Sequence, residues 1–219
     1  MSTPVRHPNL NEVVREAIEE QILSGELAPG GKVAEAELAG ILEVSRTPVK
    51  LALVELSQEG IIDVIPRRGA YVKIFSKDDM VKIQQVRAAL EGLAVKLAAV
   101  HFGLENYRML KNVIDEYQRL GKAAEQETDD TRRRDIETRM KRLDLDFHNR
   151  ILDLSGNEYL VSVARRKNLQ FQCFINKAWG DKRENRMRVT REHKEILQSL
   201  KHNDPASAER LLKEHITGH

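Results

Sequence analysis

Hydrophobic positions recur along this chain at two different intervals, and the change between them organises it. From Leu10 to Leu23, the residues Val13, Val14, Ala17, Ile18 and Ile22 fall on one helical face. The glycines and proline of SGELAPGG end that helix. AEAELAGIL, residues 34–42, predicts a short second helix with Leu38, Ile41 and Leu42 inward. After the turn EVS, Ser45 suits an N-cap and Pro48 a first helical turn. The third helix turns Val49, Leu53 and Leu56 inward and stops at Gly60. There the interval drops to two. IIDVI and AYVKI flank PRRG, which predicts a hairpin with a four-residue turn.

Beyond FSKDD the helical interval returns and holds. Ser76 with Asp79 forms a capping box that opens a helix to about Val100. Further helices are predicted over 104–125, 132–154, 158–178 and 184–201. Gly156 is placed to end one of them, and Asp204–Pro205 to open a sixth. The expected fold is mainly α. Residues 1–75 form a winged helix–turn–helix, and 76–219 an antiparallel all-α bundle of six helices. Residues 1–9, with two prolines and no periodicity, read as a loose arm.

Composition narrows the setting. A hydrophobic fraction of 41% supports a core, and 32% charged with 5% aromatic residues suits a helix-rich protein. No apolar run is long enough for a membrane span, and MSTPVRHPNL has no apolar signal core. The single cysteine, Cys173, excludes an internal disulfide and agrees with a reducing cytoplasm. The net charge of +2 says little until it is divided. Residues 1–75 carry 8 Lys and Arg against 11 Asp and Glu, a net of −3. Any nucleic-acid contact there must come from local clusters.

Two such clusters exist, on the two parts of a winged fold that face DNA. The third helix opens with SRTPVK, where Arg46 and Lys50 lie one turn apart and off the buried stripe. A recognition helix enters the major groove by its first turn. Ser45 and Thr47 can donate to phosphates, and Arg46 can reach guanine edges bidentately. At the wing tip, Arg67, Arg68 and Gly69 sit on a tight turn suited to a backbone or minor-groove contact.

The bundle holds a different chemistry. Of seven histidines, His7, His202 and His219 lie in the arm, a turn and the C-terminus, and His101 closes a helix. His148, His193 and His215 instead share faces with apolar residues: Leu145, Ile151 and Leu152; Val189, Ile196 and Leu197; Leu211 and Leu212. His193 and His215 lie about 10 and 11 residues from the centre of the turn at 202–204, so at ~1.5 Å per residue both stand roughly 15 Å from it. In an antiparallel hairpin they reach the same level. Asp144 and His148, at i and i+4, add a carboxylate and a third imidazole from another helix. Asp146 is turned roughly 200° from His148 and points elsewhere. Each histidine alone would read as a core residue bonded to a backbone carbonyl. Three at one level beside an acid make a site for a divalent transition metal: zinc first, with nickel, manganese or iron as alternatives. Arg87, at the edge of an inward stripe, could hold a carboxylate effector there, or could simply form a surface pair with Glu91.

AIEEQILSGELAPGGKVAEAELAGILEVSRTPVKLALVELSQEGIIDVIPRRGAYV closely resembles the winged helix–turn–helix of the GntR family of bacterial transcription regulators, over about residues 10–74. The helical remainder is similar to the FCD-type ligand domain of the FadR-like subfamily. The resemblance implies a homodimer on a short palindromic double-stranded DNA operator, with a small metabolite releasing or reshaping its grip. By position, Arg46, Lys50 and Arg67–Gly69 match the family's DNA contacts. Lys50 stands where the family usually has Arg, which favours a phosphate contact over base reading. Ala36 occupies a position often held by a DNA-contacting Arg. The subfamily includes a metal-binding class with an Asp-x-x-x-His pair and two later histidines, and Asp144, His148, His193 and His215 fill that pattern. Fatty-acid-sensing members lack that pattern, which points to a small organic or sugar acid rather than a long-chain acyl effector, and the subfamily often has an Arg at the place of Arg87, which favours a place for it in the pocket. Two rival readings remain: a regulator for which the metal itself is the signal, and a metalloenzyme built on the bundle. Against the enzyme, no extra base or nucleophile stands out beside the four residues.

Overall fold

The computed structural model describes residues 10–178 and 183–218, with the side chains of 172–178 left aside. The arm at 1–9 with His7, the side chain of Cys173, and His219 therefore lie outside what is described. Two compact units meet between Phe75 and Ser76. No helix among the described residues is long and apolar enough to cross a membrane.

The first unit runs α1 (Leu10–Ser24), β1 (Lys32–Val33), α2 (Glu35–Ile41), α3 (Arg46–Gln58), β2 (Ile62–Ile65) and β3 (Gly69–Val72). Val14, Ile18 and Ile22 of α1 pack with Val49, Leu53 and Leu56 of α3 in its core. Arg15 locks the pair, placing two nitrogens 2.8 Å from the two carboxylate oxygens of Glu59. The wing has three strands, where the sequence pattern predicts two. Their order is β1-β3-β2, antiparallel, with Lys32 opposite Tyr71 and Ile62 opposite Val72. A two-residue strand is too short to carry a period, so β1 leaves no trace in the sequence.

The wing turn is also tighter than expected. Ile65 pairs with Gly69, leaving three residues between the strands rather than four. Arg68 N–H donates to Ile65 O at 3.0 Å, with Pro66 next and Arg67 at φ 63°. Pro followed by a positive φ is the type II pattern, which ordinarily asks for Gly or Asn at the second position. Arg67 holds it instead.

Two further expectations change in this unit. Ile41 is 63% exposed rather than inward. Leu38 and Ala39 set the buried face of α2, and Ile41 lies about 110° from its centre at 100° per residue. Ser45 does occupy the N-cap of α3, but its side chain makes no capping hydrogen bond. The usual acceptor geometry aims at the N–H of N2 or N3, and N3 here is Pro48, which has none.

The second unit contains α4 (Lys77–Ala99), α5 (Leu104–Gln126), α6 (Asp130–Leu154), α7 (Glu158–Ala178), α8 (Arg183–Lys201) and α9 (Pro205–Thr217). Ser76 and Asp79 form the expected capping box on α4. Asp204 caps α9 by accepting from Ser207 N–H, with Pro205 at the start of the helix. Asn203, at φ 53°, reverses the chain between α8 and α9. α4 packs against α9, α7, α6 and α8, while α5 lies against α6 and α8. Phe147, Ile151, Leu152, Ile196, Leu200 and Leu212 fill the space between them. α6, α8 and α9 each turn a polar side chain into that apolar interior.

Candidate functional site

Asp144, His148, His193 and His215 are all buried, and one ligand atom from each lies within 4.8 Å of the other three. α6 supplies Asp144 and His148, α8 His193, and α9 His215. His215 Nε2 is 3.2 Å from His193 Nε2 and 3.3 Å from His148 Nε2. Asp144 Oδ1 is 3.6 Å from His193 Nε2. The hairpin arithmetic thus brings the α8 and α9 imidazoles together. Asp146 lies apart, paired with Arg150 at 2.7 Å.

Carboxylates behind two of the rings fix which nitrogens face inward. Glu91 of α4, fully buried, stands 2.5 Å from His148 Nδ1. Burial pushes the Glu91 carboxyl up, but the charges and hydrogen bonds of Arg87 and His148 outweigh this and hold it at about 2. An ionised carboxylate only accepts, so His148 Nδ1 carries the hydrogen, which leaves Nε2 as the inward-facing nitrogen. Glu192 of α8 stands 2.7 Å from His215 Nδ1 and imposes the same tautomer when ionised. Burial lowers the His215 imidazole against the raising effect of Glu192, which favours its neutral form. The Nε2 atoms of His148 and His215 then face each other across 3.3 Å. Such a contact is unfavourable unless a cation or a proton lies between them. Nitrogens at this spacing also suit two imidazoles bound to one ion at about 2.0–2.1 Å each. The donor set and its spacing therefore fit a divalent transition metal, which these four residues could hold.

Sequence reasoning names Glu91 only as a surface partner of Arg87, does not name Glu192, and finds no further base beside the four residues. Glu91 interrupts the small, buried residues of α4, and that interruption was the available signal. Glu192 lies next to His193 but serves the ring of another helix, so only the packing of α8 on α9 reveals it. Phe147 is a third omission. It is fully buried and stacks on His193 with ring centroids 3.9 Å apart. Leu145, expected inward, is half-buried instead, because Phe147 takes the centre of the interface.

Arg87 lies inside the bundle at 3% exposure, so its pair with Glu91 is a core feature and not a surface one. Its Nε donates to Glu91 at 3.0 Å and to Asn168 Oδ1 of α7 at 2.7 Å. The guanidinium also sits 4.2 Å from the Phe171 ring centroid. Arg87, Glu91 and His148 form one continuous polar chain from α7 to the imidazole cluster. In the first unit, Ser45, Arg46, Thr47 and Lys50 are exposed at the first turn of α3. Arg67 and Arg68 are exposed at the wing tip, with half-buried Gly69 at φ 109° beside them.

Residues 82–218 match the FCD domain family, and residues 10–72 match the bacterial regulatory proteins of the gntR family. The chain is 28% identical over 203 residues to the HTH-type transcriptional regulator YdhC of Bacillus subtilis, covering 92% of this chain and 84% of that one. It is 25% identical over 235 aligned residues to the HTH-type transcriptional repressor NanR of Klebsiella aerogenes, covering 97% and 85%. Among solved structures, McbR/YncC of E. coli superposes with a TM-score of 0.78 at 22% identity, covering 97% and 95%.

Proposed function

The chain belongs to the gntR family of bacterial regulatory proteins and carries an FCD domain, and from that premise we propose that it is a metal-dependent, metabolite-responsive repressor acting as a homodimer. Its class is that of a DNA-binding transcription regulator and not an enzyme. The finer reading rests on one observation above all: four buried ligands from three helices converge to within 4.8 Å.

Asp144, His148, His193 and His215 hold the metal, with zinc favoured by the imidazole-rich set and nickel, manganese or iron as alternatives. When bound, the ion supplies a positive centre that attracts an anionic oxygen. A small organic or sugar acid places its carboxylate there. Arg87, tied to His148 through Glu91, completes the pocket; its Nε is committed to Glu91 and Asn168, so the effector meets the terminal nitrogens. An effector that binds one arrangement of the helices better than another shifts the equilibrium between them by that difference in affinity.

At the operator, Arg46 reads a base edge, while Ser45, Thr47 and Lys50 hold phosphates. The uncapped Ser45 hydroxyl supports its part. Arg67, Arg68 and Gly69 contact the backbone or minor groove. Dimerisation is supported by Val86 and Leu93 on α4 and Val100 at its C-cap, which repeat every seven residues and are 43%, 44% and 63% exposed. The name of the NanR relative supports repression. The cytoplasm is where such a protein meets its operator.

The test is a titration of operator-bound protein, first with a chelator and then, metal-loaded, with a panel of organic and sugar acids. Release by an acid that requires Arg87 supports the reading. Release governed by chelation alone, with no acid effective, replaces it with the metal-sensor reading.

A further inference from the structure

On a face of α8 about 110° round from His193 at 100° per residue, that helix and α5 part to leave a cavity of about 700 Å³. That volume falls in the range of small-molecule sites. Tyr117 and Gly121 give it a buried floor, and exposed Met187 an apolar lip. Among the described residues its rim is cationic: Lys122, Arg183, Arg186, Arg191 and Lys194 against Glu125 and Glu195. Glu125 stands 3.4 Å from Arg183 and 3.8 Å from Arg186, so one carboxylate faces two guanidiniums. The Arg186 side chain is only 11% exposed, where water screens its charge weakly.

Gly121 sharpens the case. It lies inside α5, where glycine costs about 0.5–1 kcal/mol relative to alanine. A Cβ there would stand 3.5 Å from Met140 Cε and 3.6 Å from Arg186 Cδ, which is ordinary contact. Helix packing does not demand the glycine. What the missing side chain provides is depth in the cavity floor.

We propose that the α5–α8 groove is a second small-molecule site that takes an amphipathic organic anion. The anionic head, a carboxylate, sulfonate or phosphate, sits on the rim of Lys122, Arg183 and Arg186. The apolar body lies over Tyr117, Gly121 and Met187. The site is distinct from the imidazole cluster, none of whose four residues lines it. Tyr117 is the wall between them, its ring centroid 6.5 Å from that of His193.

The probe is 8-anilinonaphthalene-1-sulfonate, an aromatic sulfonate that is a poor metal ligand. It is titrated by fluorescence into the full chain, metal-free and metal-loaded. Two variants accompany it: the double charge reversal Lys122→Glu with Arg183→Glu, at exposed positions, and Gly121→Leu, which fills the floor. Circular dichroism confirms that each protein is folded. The expected result is one saturable site per chain, unaffected by metal. Charge reversal weakens it by roughly tenfold or more, and Gly121→Leu removes it. Absence of saturable binding overturns the proposal. So does an affinity unchanged by the charge reversal, or binding that tracks metal loading and so belongs to the metal centre. If Gly121→Leu fails to fold, the charge reversal decides alone.

Discussion

Replacing Glu91 by glutamine separates two jobs that this residue performs at once. The side chain is fully buried between Arg87 Nε at 3.0 Å and His148 Nδ1 at 2.5 Å. Glutamine has nearly the same shape, so no cavity opens and the change is electrostatic. Removing one partner of a buried ion pair costs about 3–5 kcal/mol, because the other charge is left behind. Arg87 retains Asn168 Oδ1 at 2.7 Å and the face of Phe171. The new amide oxygen can still accept from one of the two donors. These offsets bring the expected loss to about 2–3 kcal/mol. The second effect is on metal affinity. Removing a carboxylate behind a ligating imidazole lowers affinity about 10–100-fold, or about 1.4–2.7 kcal/mol. Urea unfolding of the metal-free protein measures the first quantity, and competition against a chromophoric chelator the second. If stability falls by the full amount while metal affinity is unchanged, Glu91 is only a counter-ion for Arg87. The positioning argument would then be refuted. If neither changes, the attraction that holds its carboxyl near 2 is refuted as well.

His193→Ala should abolish tight metal binding and the effector response while leaving operator affinity within about twofold, since His193 belongs to the second unit and the expected DNA contacts to the first; a folded variant that no longer binds DNA would contradict this division. Arg46→Ala should cost about 1–3 kcal/mol of operator binding in a gel-shift titration, and an unchanged affinity would remove Arg46 from the reading surface. Arg67→Gly should raise thermal stability by about 0.5–1 kcal/mol by relieving the positive φ, yet weaken operator binding; a loss of stability would mean the turn is not strained. The metal-free protein should lose stability in two stages on acidification. His215 is depressed in the folded state, so the unfolded chain takes up its proton first and stability falls as pH drops below 6.5. Glu91 is also depressed, and its contribution is lost as pH falls from 4.5 towards about 2. A urea midpoint flat between pH 7 and 5 would contradict the first stage.

The four clustered residues were legible because their placement depends on quantities that a helix fixes. An i,i+4 spacing sets a shared face, and equal distances from a turn set a shared level. Glu91 and Glu192 were not legible because their partners depend on how α4 and α8 rotate about their own axes. Packing decides that rotation. Arg87 shows the same limit: its pairing with Glu91 could be read from spacing, but whether the pair faced water could not. In the first unit the helices followed from periodicity, whereas β1 is too short to have any. Ile41 went astray because a seven-residue helix offers too few positions to define its own inward face. Ser45 was placed correctly, but its missing bond depends on Pro48 lying three residues on, a conflict between two locally sensible residues.

The two-residue strand β1 has a consequence for the arginines at the wing tip. An isolated hairpin is marginal in water. Here Val72 bonds both ways to the chain ahead of β1, donating to Gly31 O at 2.9 Å and accepting from Gly30 N–H at 2.8 Å. The strand leading out of the Arg67–Arg68 turn is therefore the middle of a sheet and not its edge. Ordering of the loop is completed when the protein folds and does not await its partner. Whatever meets the wing tip meets a preorganised turn, so little of the encounter energy goes into stiffening it.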